Sequence, residues 1–493
     1  MTSRRSFLAW TGAAAAEAAL LAYGMRSRPG AAAADVGTTT AGVGRYDSRS
    51  PQVLAASART KLAPFTVAMP IPQVLRPTRT SHHTDHYDID IREADVELVP
   101  GLTTSAYTYN GQFPGPTIRA RTGRPVSVRY HNKLQTDANV HLHGGHTPAD
   151  SDGHPMALIA PGAYRDYTYP NKQQGTALWY HDHSHGNEAE HVYRGLHGFY
   201  LIEDDHERRL GLPSGKYDVP IMLRNIALDD TGAMVLGDPN DRPIVLANGK
   251  QQPHFSVAAR KYRFRLLNAS NLAVFTLTLP GGQLIQVGSD GGLLPAPVRR
   301  SQLTISSGER VDLVIDFSRF PVGTQLFLTE ATAGAILRFD VGRATHDNSR
   351  LPARLRALPP LATATVHRDV TLSFDLVSEV PAALVNGKSY DPDRVDFTVK
   401  RGATEIWQVT NGDGQYGIHH NFHMHLVQFR VLDRNGQPPT ADDRGLKDTV
   451  PIAPGESVRL QAHFTEYLGE YVYHCHVLEH SSFGMMATMN IVK

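Results

Sequence analysis

The run Glu470-Tyr471-Val472-Tyr473-His474-Cys475-His476 decides how this chain is read. Its alternation of aromatic, β-branched and polar residues predicts a β-strand, and side chains on a strand alternate between its two faces. His474 and His476 then point to one side and Cys475 to the other. One short segment can feed two metal sites, joined by a few covalent bonds. Cys475 is the only cysteine in 493 residues. An internal disulfide is excluded, so stability has to come from the core and from bound metal.

Working outward, the strand belongs to a repeated unit. Asn-Gly pairs fall at Asn110-Gly111, Asn248-Gly249 and Asn386-Gly387, at even intervals. Asn-Gly is a tight-turn dipeptide, and the alternating runs beside it read as strands. Each turn is followed by a run ending in asparagine: Val128 to Asn132, Tyr262 to Asn268, and Ile406 to Asn411. The units also close alike, Gly175 leading to His181, Gly323 to Thr329 and Gly469 to His474. Units of this size with many short strands predict an all-β chain of three tandem β-sandwiches. The expected boundaries are 61–205, 206–365 and 366–493, set at the charged run Asp204–Arg209 and the Pro-containing stretch 351–365. The middle unit has Thr329 where its neighbours have histidine, so it is expected to be a spacer without metal ligands.

Histidines cluster in the outer units. His141-Leu142-His143-Gly144 and His181-Asp182-His183 lie in the first, and His420-Asn421-Phe422-His423-Met424-His425 and His474-Cys475-His476 in the third. Pairs from units one and three are expected to meet at an interface between them, where ligand sites commonly sit. A thiolate, two histidines and a distant methionine form the ligand set of a blue-copper electron-transfer site. His480 and Met485 follow Cys475, and the 420–425 segment offers the second histidine. Zinc sites take three or four ligands and have no redox use for a Cys-His bridge, so copper is the expected metal.

HxHG, WYHDH, HxxHxH and HCHxxxHxxxxM, in this order, resemble the four copper motifs of the multicopper oxidases, over nearly all of the chain after residue 60. The resemblance implies cupredoxin-like Greek-key sandwiches and four copper ions. His141 and His423 would hold the type 2 copper. His143, His181, His183, His425, His474 and His476 would hold the type 3 pair. The type 1 site would be His420, Cys475 and His480, with Met485 axial. An axial methionine lowers the potential and predicts a modest oxidant. The family usually has proline at Asn421, and the change is expected to alter turn rigidity more than ligation.

The mechanism implied is one-electron oxidation of a reducing substrate at the type 1 copper. Electrons pass through Cys475 to His474 or His476, and dioxygen is reduced by four electrons to water. Asp150-Ser151-Asp152-Gly153-His154-Pro155 resembles the segment after HLHGG in spore-coat laccases and bilirubin oxidases, which assigns Asp152 as the cluster acid. Those relatives carry a glutamate after the second type 1 histidine. Here it is Ser481, with Glu479 on the other side of His480, so the proton relay departs from the family pattern. Gly288–Leu294 and Ser307–Phe317 also resemble that branch and are read as turn and strand residues. His146, His185, His191 and His419 are read as neighbours of ligands rather than ligands.

The leading functional expectation is a laccase-like oxidase of phenols, aminophenols or related aromatics, with bilirubin-type pigments within its range. An exposed His480 edge would take electrons with little specific binding. The alternative is a cuprous or ferrous ion oxidase for metal tolerance, disfavoured because the ten methionines are scattered except at the C-terminus. A simple electron carrier would need only the type 1 ligands, copper nitrite reductases lack four HxH pairs, and a degenerate oxidase would have lost ligands. A net charge of +1 argues against nucleic acid or an anionic membrane as partner. Ser3-Arg4-Arg5-Ser6-Phe7-Leu8, an alanine-rich apolar stretch and Ala32-Ala33-Ala34 predict a twin-arginine signal over 1–34. The export machinery is thus an expected partner, and the mature chain is expected to be periplasmic or extracellular, off the membrane. Residues 35–60 read as a flexible lead-in.

Overall fold

The computed structural model describes residues 63–378 and 380–493. The expected signal peptide and lead-in therefore lie outside the described residues. Among the described residues six sheets form, two in each of the three units. The alternating runs become strands with one buried face, as in Val126–Asn132, where every second residue is buried. In each unit the second strand before the Asn-Gly turn lies parallel to the run that ends in asparagine. Asp85–Glu97 pairs with Val126–Asn132, Asp218–Ile226 with Lys261–Asn268, and Val366–Asp375 with Thr404–Asn411.

The repeat is visible atom by atom. Both residues of each Asn-Gly pair have positive φ (Asn110 56° and Gly111 74°, for example), as a type I′ turn requires. The asparagine side chains dock identically. Asn110 Oδ1 accepts from Asp90 N at 2.8 Å, Asn248 Oδ1 from Met222 N at 2.7 Å, and Asn386 Oδ1 from Thr371 N at 2.7 Å. The strand-ending asparagines repeat as well. Nδ2 of Asn132 donates to Thr136 and Ile159 carbonyls, that of Asn268 to Ala273 and Ile305, and that of Asn411 to Ile418 and Ile452. Each fastens the loop leading into the strand that, in the outer units, carries the first histidines.

Each unit has its own apolar core, centred on Trp407 and Phe422 in the third, Phe264 and Phe339 in the second, and Tyr130 and Tyr180 in the first. The charged run at 204–209 is a short helix, Asp205–Leu210, whose N-cap Asp204 accepts from Glu207 N at 2.7 Å. Residues 351–365 run without regular structure, and Leu355 is buried against Ile285, Val287 and Val314 of the middle unit.

Candidate metal centre

The histidine pairs sit on, or just past the ends of, equivalent strands of the outer units, in the same register. His141 lies opposite His181 across an antiparallel pair, and His423 lies opposite His474. In the middle unit the corresponding strands place Thr278 opposite Thr329. The outer units face each other, and all eight paired histidines are buried at their junction. His141 stacks on His425 at 3.7 Å and His143 on His423 at 3.8 Å, each stack joining unit one to unit three.

Neighbouring carbonyls fix the imidazole tautomers, because a carbonyl can only accept. Nδ1–H of His141 donates to Asp152 O at 2.6 Å, of His181 to Asp182 O at 2.8 Å, of His423 to Asp448 O at 2.7 Å, and of His474 to Cys475 O at 3.0 Å. Each Nε2 then carries a lone pair. Nε2 of His141, His181, His423 and His476 is buried without a hydrogen-bond partner. His183 and His425 bring Nε2 to 3.2 Å and 3.3 Å from His474 Nε2. His143 is turned the other way: Asp448 Oδ1 and Thr449 Oγ1 lie 3.0 Å from its Nε2, and Nδ1 is the atom left without a partner. Burial holds His141, His143, His183, His423, His425 and His476 well below their usual pKa, and brings His181 and His474 down to about 4. Neutral imidazoles with converging orphaned lone pairs form a donor set for metal ions, and imidazole suits copper.

A second donor set lies on the far face of the same strand. Cys475 Sγ is 3.6 Å from His420 Nδ1 and 3.5 Å from His480 Nδ1, all three residues buried. Burial pushes the thiol pKa up, but the charge of His480 and bonds from His420 and His480 outweigh it and bring it to about 6. Asp413 accepts from His420 Nε2 at 2.8 Å, which leaves Nδ1 to face the sulfur. Met485 is fully buried and pinned beside the site: its N–H donates to His480 O and its carbonyl accepts from Cys475 N, both at 3.0 Å. His480 does not present an exposed edge. It is only 3% exposed, and the Phe374 ring stands edge-on against it at 4.8 Å, because the Asp413 carboxylate also binds Phe374 N.

Asp152 lies between the two halves of the cluster, its Oδ2 2.7 Å from His425 Nδ1. Asn421 is in a strand, not a turn, and its N–H points at Cys475 Sγ at 3.4 Å. Glu479 turns away to Arg242 and Asn271. His191 lies 3.2 Å from Asp182, His146 bonds Leu426 O, and His185 packs on Tyr390.

Sequence reasoning missed three groups. Glu188, on the helix Glu188–Arg194, accepts from Ser481 Oγ at 2.5 Å and places Oε1 3.7 Å from His183 Nδ1. Asp448 holds two cluster histidines, His143 by its carboxylate and His423 by its carbonyl. Arg310 comes from a middle-unit segment expected to be only turn and strand, yet it lies against the cluster. All five of its guanidinium hydrogens are used, on Asp448 Oδ1 and Oδ2 and on the carbonyls of Ala177, Gly308 and Asp290. A Cβ on Gly144 would come within 2.5 Å of Asp448 Oδ2 and 2.6 Å of Arg310 Nη2, which explains the glycine after His143. The only sequence hint was proximity, Glu188 lying close behind His183.

Comparison with known proteins agrees with this geometry. Three multicopper oxidase family profiles match residues 90–207, 217–346 and 358–493. The laccase of Bacillus subtilis is 35% identical over 87% of this chain and 99% of its own length. The structure of a laccase from Pediococcus acidilactici superposes with a TM-score of 0.80 at 30% identity, covering 88% of this chain and 96% of that one. A Campylobacter jejuni multicopper oxidase described as a metallo-oxidase superposes at 0.78 with 27% identity, covering 87% and 96%. The three β-sandwiches are thus cupredoxin-like, and the chain belongs to the multicopper oxidases, copper-dependent oxidoreductases that use dioxygen.

Proposed function

We propose that this chain is a laccase-like oxidase of small aromatic donors, binding four copper ions. His420, Cys475, His480 and Met485 would hold the type 1 copper. His141 and His423 would hold the type 2 ion, and His143, His181, His183, His425, His474 and His476 the type 3 pair. Copper there supplies one-electron oxidation of the donor and reduction of dioxygen to water. The chain's own part is positional. Strand Gly469–Cys475 keeps Cys475 covalently next to both His474 and His476. Asp152 holds His425 and Glu188 faces His183, so each keeps a carboxyl beside the cluster for proton transfer.

The observation favouring an aromatic donor is the approach to His480. The Phe374 ring packs edge-on against it, and Leu376 and the 88% exposed Val377 follow on the same segment. A flat apolar ring can pack on such a surface, while a hydrated metal ion gains little there. Asp413, which holds His420, is buried and already shared between His420 and Phe374.

Oxygen uptake by the copper-loaded protein, with a dimethoxyphenol, an ortho-aminophenol, bilirubin and cuprous ion side by side, tests this reading. Uptake with the aromatics and little with cuprous ion supports it. Uptake with cuprous ion alone moves the chain to metal-ion oxidation. We further propose twin-arginine export to the periplasm or medium. Arg4→Lys with Arg5→Lys should retain the protein in the cytoplasm, and unchanged fractionation would refute that route.

A further inference from the structure

We propose that Asn421 tunes the type 1 site, its peptide N–H raising the copper reduction potential through a hydrogen bond to Cys475 Sγ. The inference rests on the type 1 assignment above. The N–H lies 3.4 Å from the sulfur, and it is the one backbone donor to Cys475 Sγ among the described residues. Proline, which the family motif usually carries here, has no N–H and cannot make this bond.

Three contacts aim the peptide. Its carbonyl accepts from His476 N at 2.5 Å, so the two faces of residue 421 grip consecutive residues of the Cys475-His476 segment. Its side-chain Nδ2 donates to Ser307 O at 2.5 Å, and Oδ1 accepts from Ser306 Oγ at 3.3 Å. Both serines belong to the middle unit. The asparagine side chain therefore ties the type 1 strand to a loop that also touches the cluster, since Ser307 Oγ lies 3.3 Å from His476 Nδ1.

The direction follows from charge. Gaining an electron lowers the positive charge on the metal and leaves more negative charge on the sulfur. A donor at the sulfur stabilises that reduced form more than the oxidised one, and hydrogen bonding around the cysteine sulfur is a known lever on potential. The N–H thus opposes the lowering effect of an axial methionine.

The test is a redox titration of the copper-loaded full chain, followed by its visible thiolate-to-copper absorption. If the parent lacks that absorption, the type 1 assignment itself fails. With it present, Asn421→Pro is expected to shift the potential downward. Asn421→Ala, which keeps the N–H and loses only the side-chain anchors, should shift it less. A proline variant at or above the parental potential overturns the inference. A second measurement needs no variant: the copper–sulfur vibration of the parent should shift when the protein is prepared in heavy water, and an unchanged frequency also overturns it.

Discussion

Ser481 donates its hydroxyl to Glu188 Oε2 at 2.5 Å, joining the last unit of the chain to the first. The position after the second type 1 histidine, glutamate in the laccase-like relatives the sequence resembles, thus meets a carboxyl supplied from another domain. Glu188 is 2% exposed and its Oε1 faces His183. Burial raises its pKa well above the usual carboxylate value, although a bound cation pulls it back down.

Glu188→Gln keeps the shape and removes the ionisable carboxyl. Turnover should fall about 100-fold, at the low end for loss of a general acid. An acid with a raised pKa keeps its proton until the pH climbs through that value. The parent should therefore lose activity as pH rises through it, and the glutamine variant should lack that limb. Combining Glu188→Gln with Ser481→Glu should restore part of the rate, whereas Ser481→Glu alone crowds two carboxyls and should not speed the enzyme. Parental rates for Glu188→Gln across the pH range would refute the role.

Asp152 presents two different groups to the cluster, its carbonyl to His141 and its carboxyl to His425. Asp152→Asn leaves the carbonyl in place. Copper content should hold while oxygen uptake drops about 100-fold. Loss of copper in step with activity would make Asp152 a brace for the ligands instead.

Arg310 makes a bidentate pair with Asp448, which in turn faces His143 Nε2. Lysine keeps the charge but not the planar fork. Arg310→Lys should let Asp448 move and release the constraint that frees Nδ1 of His143 as the donor atom. Cluster copper affinity should weaken about 10- to 100-fold, as for other groups that orient metal-bound histidines. The visible absorption of the type 1 site, on the other face of the strand, should persist and report a folded chain. Unchanged affinity would mean that Thr449 suffices to hold His143.

Much of this was legible in the sequence because it is local or periodic. Strand alternation placed Cys475 opposite His474 and His476, and the Asn-Gly turns marked three units that fold alike. What stayed hidden depends on contacts between units. Nothing near Arg310 or Glu188 reveals that they reach Asp448 and Ser481, because hydrogen bonds across domain boundaries leave no spacing pattern. Asn421 was expected in a turn and lies in a strand; what it turns toward Cys475 is a backbone N–H, which the residue name hides unless proline is the comparison. The packing of His480 against Phe374 was likewise invisible, being set by Asp413 from another loop.

Asp218 and Arg265 form a buried bidentate pair at 2.8 Å, next to Glu207, Arg263 and Asp312. Burial alone would raise the Asp218 pKa, but Arg265 outweighs it and draws it from 3.8 to about 2. A depressed acid contributes stability that is complete above its unfolded pKa and lost as pH falls through the folded one. Acid destabilisation from this pair should therefore develop between about pH 4 and pH 2. Asp218→Asn leaves Arg265 underpaired and should cost about 3–5 kcal/mol at neutral pH. Thermal unfolding followed against pH checks both points, and a variant with the parental acid profile would show that other carboxylates dominate.

Phe374 packs edge-on against His480, held there by its own backbone bond to Asp413. A donor ring that packs on the Phe374 side of His480 gains an aromatic contact worth about 0.5–1.5 kcal/mol. Phe374→Ala should therefore raise the KM for a dimethoxyphenol about 2- to 10-fold, with a smaller change in kcat. Phe374→Trp, which keeps an aromatic surface, should stay near the parent. Cuprous ion, which gains nothing from the ring, should be oxidised no more slowly by the alanine variant, and faster if the ring blocks its approach. Unchanged constants for the phenol, in a variant that keeps its type 1 absorption, would place the donor contact elsewhere on the surface around His480.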